Sequence, residues 1–262
     1  MRVNKDSRLL SEQRRRRILD LIEQGSQVTV RDLVEKFSIS AVTARADLDA
    51  LSSQGMVVRS HGGAVGRVQA GQDYPLRLKK SLHHAEKARI GKAAAELVQS
   101  NETIILDSGT TTAEIARQLK TRRLHSVTVI THALNVAHEL ADADVSVIMI
   151  GGLLRPVSCS FVGPQAENML KEFHADRLFL AVDGFDLEIG PTTPDVLEAE
   201  LNSLMVRISK EINVVADFSK LGRRSVSRIA PLAAIHRLIT DSRAPTEFTE
   251  ALRKARIEVI TA

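Results

Sequence analysis

Two clusters in this 262-residue chain carry residue types that could do chemistry at a phosphate. The first is Ser40-Ala41-Val42-Thr43-Ala44-Arg45-Ala46-Asp47-Leu48. Its hydroxyls open a helical pattern, where Ser40 and Thr43 suit phosphate oxygens at a helix N-terminus. Arg45, one turn on, has the reach and the donor fork to bond guanine edges in a major groove. The second is Asp107-Ser108-Gly109-Thr110-Thr111-Thr112, which follows a β-branched run and opens another helix. Gly109 lets the backbone curl, several N–H groups then face outward at a positive helix end, and the hydroxyls add donors, making a phosphate cradle. Plain helix capping is the alternative reading for such hydroxyls, but three of them with a glycine exceed what one cap needs. The loop lacks the Gly-Lys-Ser/Thr of a Walker motif and the three spaced glycines of a dinucleotide fingerprint, so no cofactor is expected.

The elements that must position the first cluster are short. Ser11 caps a helix whose apolar stripe is Ile18, Leu21 and Ile22, with Gly25 ending it. Arg14 and Arg15 flank that stripe, Arg17 lies to its side and Arg16 points away, so one or two of them reach phosphate and the others lay their stems along the core. Thr29 and Asp32 resemble a capping box for a helix bearing Leu33, Val34 and Phe37. Ser38-Ile39 turn, and Ser40 caps a third helix with Ala41, Ala44, Leu48 and Leu51 on one face and Val42, Arg45, Ala46 and Asp49 on the other. Arg45 paired with Asp49, its i+4 neighbour, would be an ordinary solvated surface. Val57-Val58, Arg59, His61 and Gly62-Gly63 that follow read as a wing with a tight tip near a nucleic-acid backbone, which favours DNA. The candidate DNA contacts are Arg14, Ser40, Val42, Thr43, Arg45, Arg59, His61 and Gly62.

Beyond residues 66–82, which show little periodicity and read as a linker, helical and β-branched patterns alternate. Helices are expected over 83–99, 111–120, 133–141, 164–172, 194–210 and 246–255. Strands are expected over 103–106, 127–130, 145–150, 178–182, 212–215, 237–240 and 258–260. This predicts a Rossmann-like α/β domain over residues 83–262, with a mostly parallel sheet, behind a winged helix-turn-helix over residues 1–65. Ligands in such sheets gather outside the carboxyl ends of the strands. The candidates there are Asp107, Ser108, Gly109, Thr110, Thr111 and Thr112, then Thr131, Gly151, Gly152, Asp183, Glu198 and Lys220. Carboxylates would accept sugar hydroxyls, and Lys220 would meet an anion.

Composition agrees with this division and narrows it. The first 65 residues hold eleven Lys and Arg against eight Asp and Glu, and the remainder is nearly balanced. Aromatics make up only 3% with no Trp, so base-stacking platforms for single strands are not expected and groove recognition of a duplex is. A single cysteine, Cys159, forms no internal disulfide and no thiolate metal site. The eight histidines show no metal-binding spacing, and His83-His84 reads as an exposed helix start. With no secretory signal and no apolar run of membrane-spanning length, the chain reads as cytoplasmic.

Arg14, Ile18, Val30, Leu33, Ser40-x-x-Thr43-x-Arg45-x-Asp47-Leu48, Leu51, Gly55 and Arg59-x-His61-Gly62-Gly63-Ala64 resemble the winged helix-turn-helix of DeoR-family bacterial regulators. Ala44 and Ala46 depart from the family, which commonly has Ile and a long polar residue there; Ala46 lacks a DNA contact. The second half resembles the family's sensor domain, similar in fold to ribose-5-phosphate isomerase, through Asp107-Ser108-Gly109-Thr110-Thr111, Gly151-Gly152, Val182-Asp183-Gly184, Gly190-x-Thr192, Glu198-Ala199 and Asp217-x-Ser219-Lys220. The resemblance implies a repressor of double-stranded operator DNA, released by a phosphorylated sugar. The run from Asp183 to Glu198 looks nearest to members controlling amino-sugar or hexitol use, although Pro191, Pro194 and Asp195 depart from them.

Two other classes compete. Asp183 or Glu198 could be a general base beside a sugar phosphate, making the chain a sugar-phosphate isomerase or a deaminase-like enzyme with an attached DNA-binding domain. The attached domain argues against turnover. A nucleoid-type binder would ignore metabolites, whereas the loop from Ser108 to Thr112 predicts a ligand. A homo-oligomer, dimer or tetramer, is expected because two winged domains must match two half-sites.

Overall fold

Thr29 starts a helix because its hydroxyl accepts the Asp32 amide at 3.1 Å while the Asp32 carboxylate accepts the Thr29 amide at 2.9 Å, a closed capping box. Local chemistry of this kind sets the N-terminal elements of the computed structural model, which describes residues 11–25, 27–54, 56–60, 62–66 and 73–262. The order is α1 (Ser11–Gly25), β1 (Gln27–Thr29), α2 (Val30–Phe37), α3 (Ala41–Ser53), β2 (Val57–Ser60) and β3 (Gly63–Gly66). The three strands form an antiparallel sheet in the order β1-β3-β2. Ile18, Ile22, Leu33, Ala44, Leu48 and Leu51 bury themselves against Val28, Val57 and Ala64. The α2–α3 pair and its wing are therefore one small core. Two compact units divide the chain, Met1–Gln69 and Ala70–Ala262.

The second unit begins where only a linker is expected, and that expectation is corrected: Leu76–Ser81 forms a helix, α4. Six residues are too few to display a helical period. Then follow α5 (His84–Glu96), β4 (Thr103–Leu106), α6 (Thr110–Leu119), β5 (Thr128–Thr131), α7 (Leu134–Leu140), β6 (Ser146–Met149), the hairpin β7 (Leu153–Arg155) and β8 (Ser160–Val162), and α8 (Pro164–Leu170). The remainder is β9 (Ala175–Ala181), β10 (Gly184–Asp186), β11 (Gly190–Thr193), α9 (Val196–Ile208), β12 (Ser209–Val215), β13 (Ser227–Arg228), β14 (Arg237–Thr240), α10 (Thr246–Lys254) and β15 (Glu258–Thr261).

All seven expected strands are present and pair in parallel in one sheet, ordered β15-β14-β12-β9-β4-β5-β6. The central strands are buried on both faces, while the edge strands β6 and β15 are partly exposed. Ile104 and Leu106 enter the core shared with α5, α6 and α7, and Ile105 enters the core shared with α8, α9 and α10. The strand order reverses beside β4: the chain runs outward through β5 and β6, then returns to β9 on the other flank. The carboxyl ends of β4 and β9 therefore border a topological switch point, where an open α/β sheet leaves a crevice. No helix of the described residues is long and apolar enough to cross a membrane.

Candidate functional site

Ser40 caps α3, its hydroxyl accepting the Thr43 amide at 3.1 Å and lying 2.9 Å from the Thr43 hydroxyl. On the outer face Val42 is 74% exposed. Arg45 is exposed too, with no hydrogen bond or ion pair among the described residues. It does not pair with Asp49, because Arg59 of β2 takes that carboxylate at 2.9 Å and also donates to the Gly63 carbonyl at 2.7 Å. Arg45 and Val42 thus present a guanidinium and a branched apolar group side by side, the chemistry that reads guanine edges and thymine methyls.

Two of the expected DNA contacts, Arg14 and Arg59, are also tied to carboxylates of α3. Arg14 and Arg15 converge on Asp47 of α3, which is only 2% exposed, with Nε–Oδ distances of 2.5 and 3.0 Å. Arg14 clamps the recognition helix to α1, and Arg59 ties it to the wing. Gly62, with φ +82°, has open space where a Cβ would stand and leaves its carbonyl to the Val30 amide at 2.7 Å. His61 lies outside the described residues.

The second site is a cleft at the switch point, open to solvent. Gly109, at φ +147°, is the N-cap of α6, and no side chain caps that helix. Its carbonyl is held by Asn135 Nδ2 at 2.9 Å and the Thr112 hydroxyl at 3.3 Å. The first-turn amides of α6 are left as donors beside Ser108, Thr110 and Thr111, all of which line the cleft.

Asp107 shapes this loop from beneath. It is buried, accepting the Ser108 amide at 2.6 Å and the Ala181 amide at 3.1 Å, with His132 Nε2 at 3.0 Å. Burial pushes the Asp107 carboxyl up, and although burial alone would lower His132, the facing carboxylate raises it. His132 Nδ1 donates to the Phe161 carbonyl at 2.7 Å. Asp107 and His132 organise the loop from within the core.

Cations crowd the same cleft. Lys220 and Lys79 stand 3.4 and 2.9 Å from Asp183; burial pushes that carboxyl up, but the two ammonium groups outweigh it and hold it below its ordinary value. Glu198 accepts from the Thr193 hydroxyl at 3.1 Å and from Arg155 at 3.2 Å. Lys87 of α5 is buried and donates to the Lys79 and Leu82 carbonyls at 2.5 and 2.8 Å; burial lowers its ammonium to about 8.

Lys79, Lys87 and Arg155 were not anticipated. Lys87 was legible in principle, as it occupies the buried stripe of α5 one turn before Ile90, a core position that no lysine takes without a partner. Lys79 and Arg155 sit on the short elements α4 and β7, which leave no periodic signal.

Other expected residues lie elsewhere. Thr112 is fully buried and bonded to its own turn. Thr131 accepts the Ala133 amide at 3.2 Å inside the core. Gly151 and Gly152 follow β6, the far edge strand, and Gly152 packs against Val162 and Ala166. None of these four lines the cleft. His83 is not an exposed helix start: it is half-buried, edge-on to Phe218 with centroids 5.0 Å apart.

A family model described as a DeoR-like helix-turn-helix domain matches residues 14–68, and one described as the DeoR C-terminal sensor domain matches residues 82–242. The chain is 41% identical to a putative aga operon transcriptional repressor of Escherichia coli O157:H7, across 95% of this chain and 93% of that protein. It is 34% identical to the HTH-type transcriptional regulator GlpR of Haloferax volcanii, across 96% and 98%. It is 28% identical to the glycerol-3-phosphate regulon repressor of Escherichia coli K12, across 94% and 97%. Among solved structures, ribose 5-phosphate isomerase A of Methanocaldococcus jannaschii overlaps 52% of this chain and 53% of its own, at 19% identity and a TM-score of 0.39.

Proposed function

This chain belongs to the DeoR family of DNA-binding transcriptional regulators, and on that premise we propose that it represses a sugar-catabolic operon and leaves its operator when a phosphorylated sugar fills the cleft at the β4–β9 switch point. The observation that carries the reading is the uncapped N-terminus of α6 facing a cleft that also holds Lys79, Lys87 and Lys220. A phosphate ester there would accept from the first-turn amides and from the Thr110 and Thr111 hydroxyls, and the lysines would offset its two charges. Asp183, Glu198 and Ser158 are left for sugar hydroxyls.

Catalysis has little to work with. Asp183 and Glu198, the two conceivable bases, are each held in ion pairs, and the Lys79 and Lys220 ammonium groups hold Asp183 below its ordinary value, which makes it a poor base. Relatives with these domains are named as repressors and regulators.

On the DNA side, α3 enters the major groove with Arg45 and Val42 at base edges and Ser40 and Thr43 at phosphates. A homo-oligomer sets two such helices on half-sites about one turn apart. Ligand then shifts the population toward arrangements that miss the half-sites, and tenfold relief takes about 1.4 kcal/mol of differential affinity.

The test is fluorescence anisotropy on DNA from upstream of the gene and its neighbours, at fixed salt, with a panel of sugar phosphates. One phosphosugar that relieves specific binding is the expected result, and insensitivity to the whole panel would discard the effector assignment. Arg45→Ala weakens specific binding by roughly 1–3 kcal/mol and relaxes base preference. Thr110→Val with Thr111→Val keeps operator binding and loses the response.

A further inference from the structure

The cleft takes one of its walls from chain that follows closely on the DNA-reading unit. That unit ends at Gln69, and Leu76 and Lys79 of α4 already line the cleft. The segment leading into α4 is held at several points. Asp73 accepts a hydrogen bond from Arg155 Nη2. The Leu76 amide donates to the Val157 carbonyl at 2.8 Å. Lys79 reaches Asp183, and Lys87 holds the carbonyls of Lys79 and Leu82.

Arg155 is the junction. Its Nε lies 3.1 Å from Asp195, the N-cap of α9, and its Nη1 lies 3.2 Å from Glu198, which lines the cleft. Asp73 itself does not line the cleft. Its second carboxylate oxygen is buried without a hydrogen bond, 4.0 Å from the Lys79 ammonium. Asp73 is therefore only half satisfied, and it shares both of its cations with carboxylates of the cleft: Arg155 with Glu198, and Lys79 with Asp183. A ligand that draws on Lys79 or Glu198 redistributes the cations that hold Asp73.

We propose that Asp73 is the positioning residue through which occupancy of the cleft reaches the DNA-reading unit. Its bond to Arg155 holds residues 73–82 down in the ligand-free, operator-binding state, and an anionic ligand loosens it by competing for the shared cations. The direction of the coupling rests on the cleft reading given above; the role of Asp73 in operator binding does not need it.

The experiment uses the full chain without ligand. Asp73→Asn removes the charge and keeps the shape. Operator affinity is read by anisotropy, and amide hydrogen exchange is read over residues 73–82. A fivefold or greater loss of affinity is expected, the low end of coupling between sites, together with faster exchange confined to this segment. Asp73→Glu keeps both values near wild type. Leu76→Pro gives the same loss by an independent route, deleting the amide bonded to Val157 at a first-turn position that accommodates proline. Operator affinity within twofold of wild type in Asp73→Asn, or unchanged exchange over the segment, overturns the proposal. Failure of the phosphosugar reading looks different: wild-type binding ignores the panel while the Asp73→Asn defect persists.

Discussion

The N-termini of α3 and α6 use the same residue types and end in opposite states. In α3 the Ser40 hydroxyl caps its own helix at the Thr43 amide, so the helix start is complete before any partner arrives. In α6 the cap is Gly109, which has no side chain to offer, and the hydroxyls of the first turn do not cap it. Beneath each helix lies a buried carboxylate. Asp47 is clamped by Arg14 and Arg15, and Asp107 by His132 and two amides. What differs is whether the helix dipole is already satisfied. A capped end positions side chains for a partner, while an open end is itself a binding group.

The largest expected effect comes from closing the open end. Gly109→Val forces a β-branched residue into φ +147° with its Cβ about 3.0 Å from that of Ala181. Sugar-phosphate binding by calorimetry is then weaker by a hundredfold or more, about 2.7 kcal/mol, with ligand-free operator affinity unchanged. Ligand affinity that survives would remove the loop from the site.

Next is the support under α3. Asp47→Ala leaves Arg14 and Arg15 without their shared carboxylate. It should cost roughly 2–3 kcal/mol of the N-terminal unit's stability in urea melts, below the value for a fully buried pair because Arg15 remains partly in water. A loss under 0.5 kcal/mol would show that the clamp is not structural.

A smaller effect is expected from pH. Lys87, with its ammonium at about 8, binds an anion only while protonated, so affinity falls as pH rises through 8, by up to tenfold per unit. Below about 6 it falls again as the ester loses its second charge. Lys87→Met should abolish the alkaline limb and leave the acidic one; a persisting alkaline limb would reassign it. The smallest effect is uncapping the closed end: Ser40→Ala costs about 1 kcal/mol of stability. No change in the melt would mean the cap is dispensable and the two helix starts differ less than their geometry says.

Legibility followed the range of the interactions. Capping boxes, the α3 face and the strand-Gly-Thr-Thr pattern act within a few residues, so Thr29, Ser40, Arg45 and Gly109 could be read directly. The ion pair of Arg59 was not readable because its partner, Asp49, is ambiguous in sequence: the helical spacing offered Arg45 to that carboxylate, and the wing took it. Thr131 and Gly151-Gly152 were drawn in by a rule about strand ends that holds only beside the reversal in strand order. Thr131 ends β5 and Gly151-Gly152 follow β6, strands that lie outward from it.

By itself the sequence determined that a winged helix-turn-helix precedes a parallel α/β sheet, and that one loop of that sheet joins a glycine to a run of hydroxyls at a helix start, the basis of the proposed phosphate site. Helix periods, caps and glycine conformations are short-range and survive without tertiary context. Lys220 was readable as an anion partner, but only the tertiary structure brought Lys79 and Lys87 to the same cleft and Arg155 to its Glu198 wall. Lys79, Lys87, Arg155 and Lys220 come from four separate elements, and a lysine in water looks the same in sequence as one drawn into a cleft by carboxylates. Burial and neighbouring charge, both products of packing, make that difference.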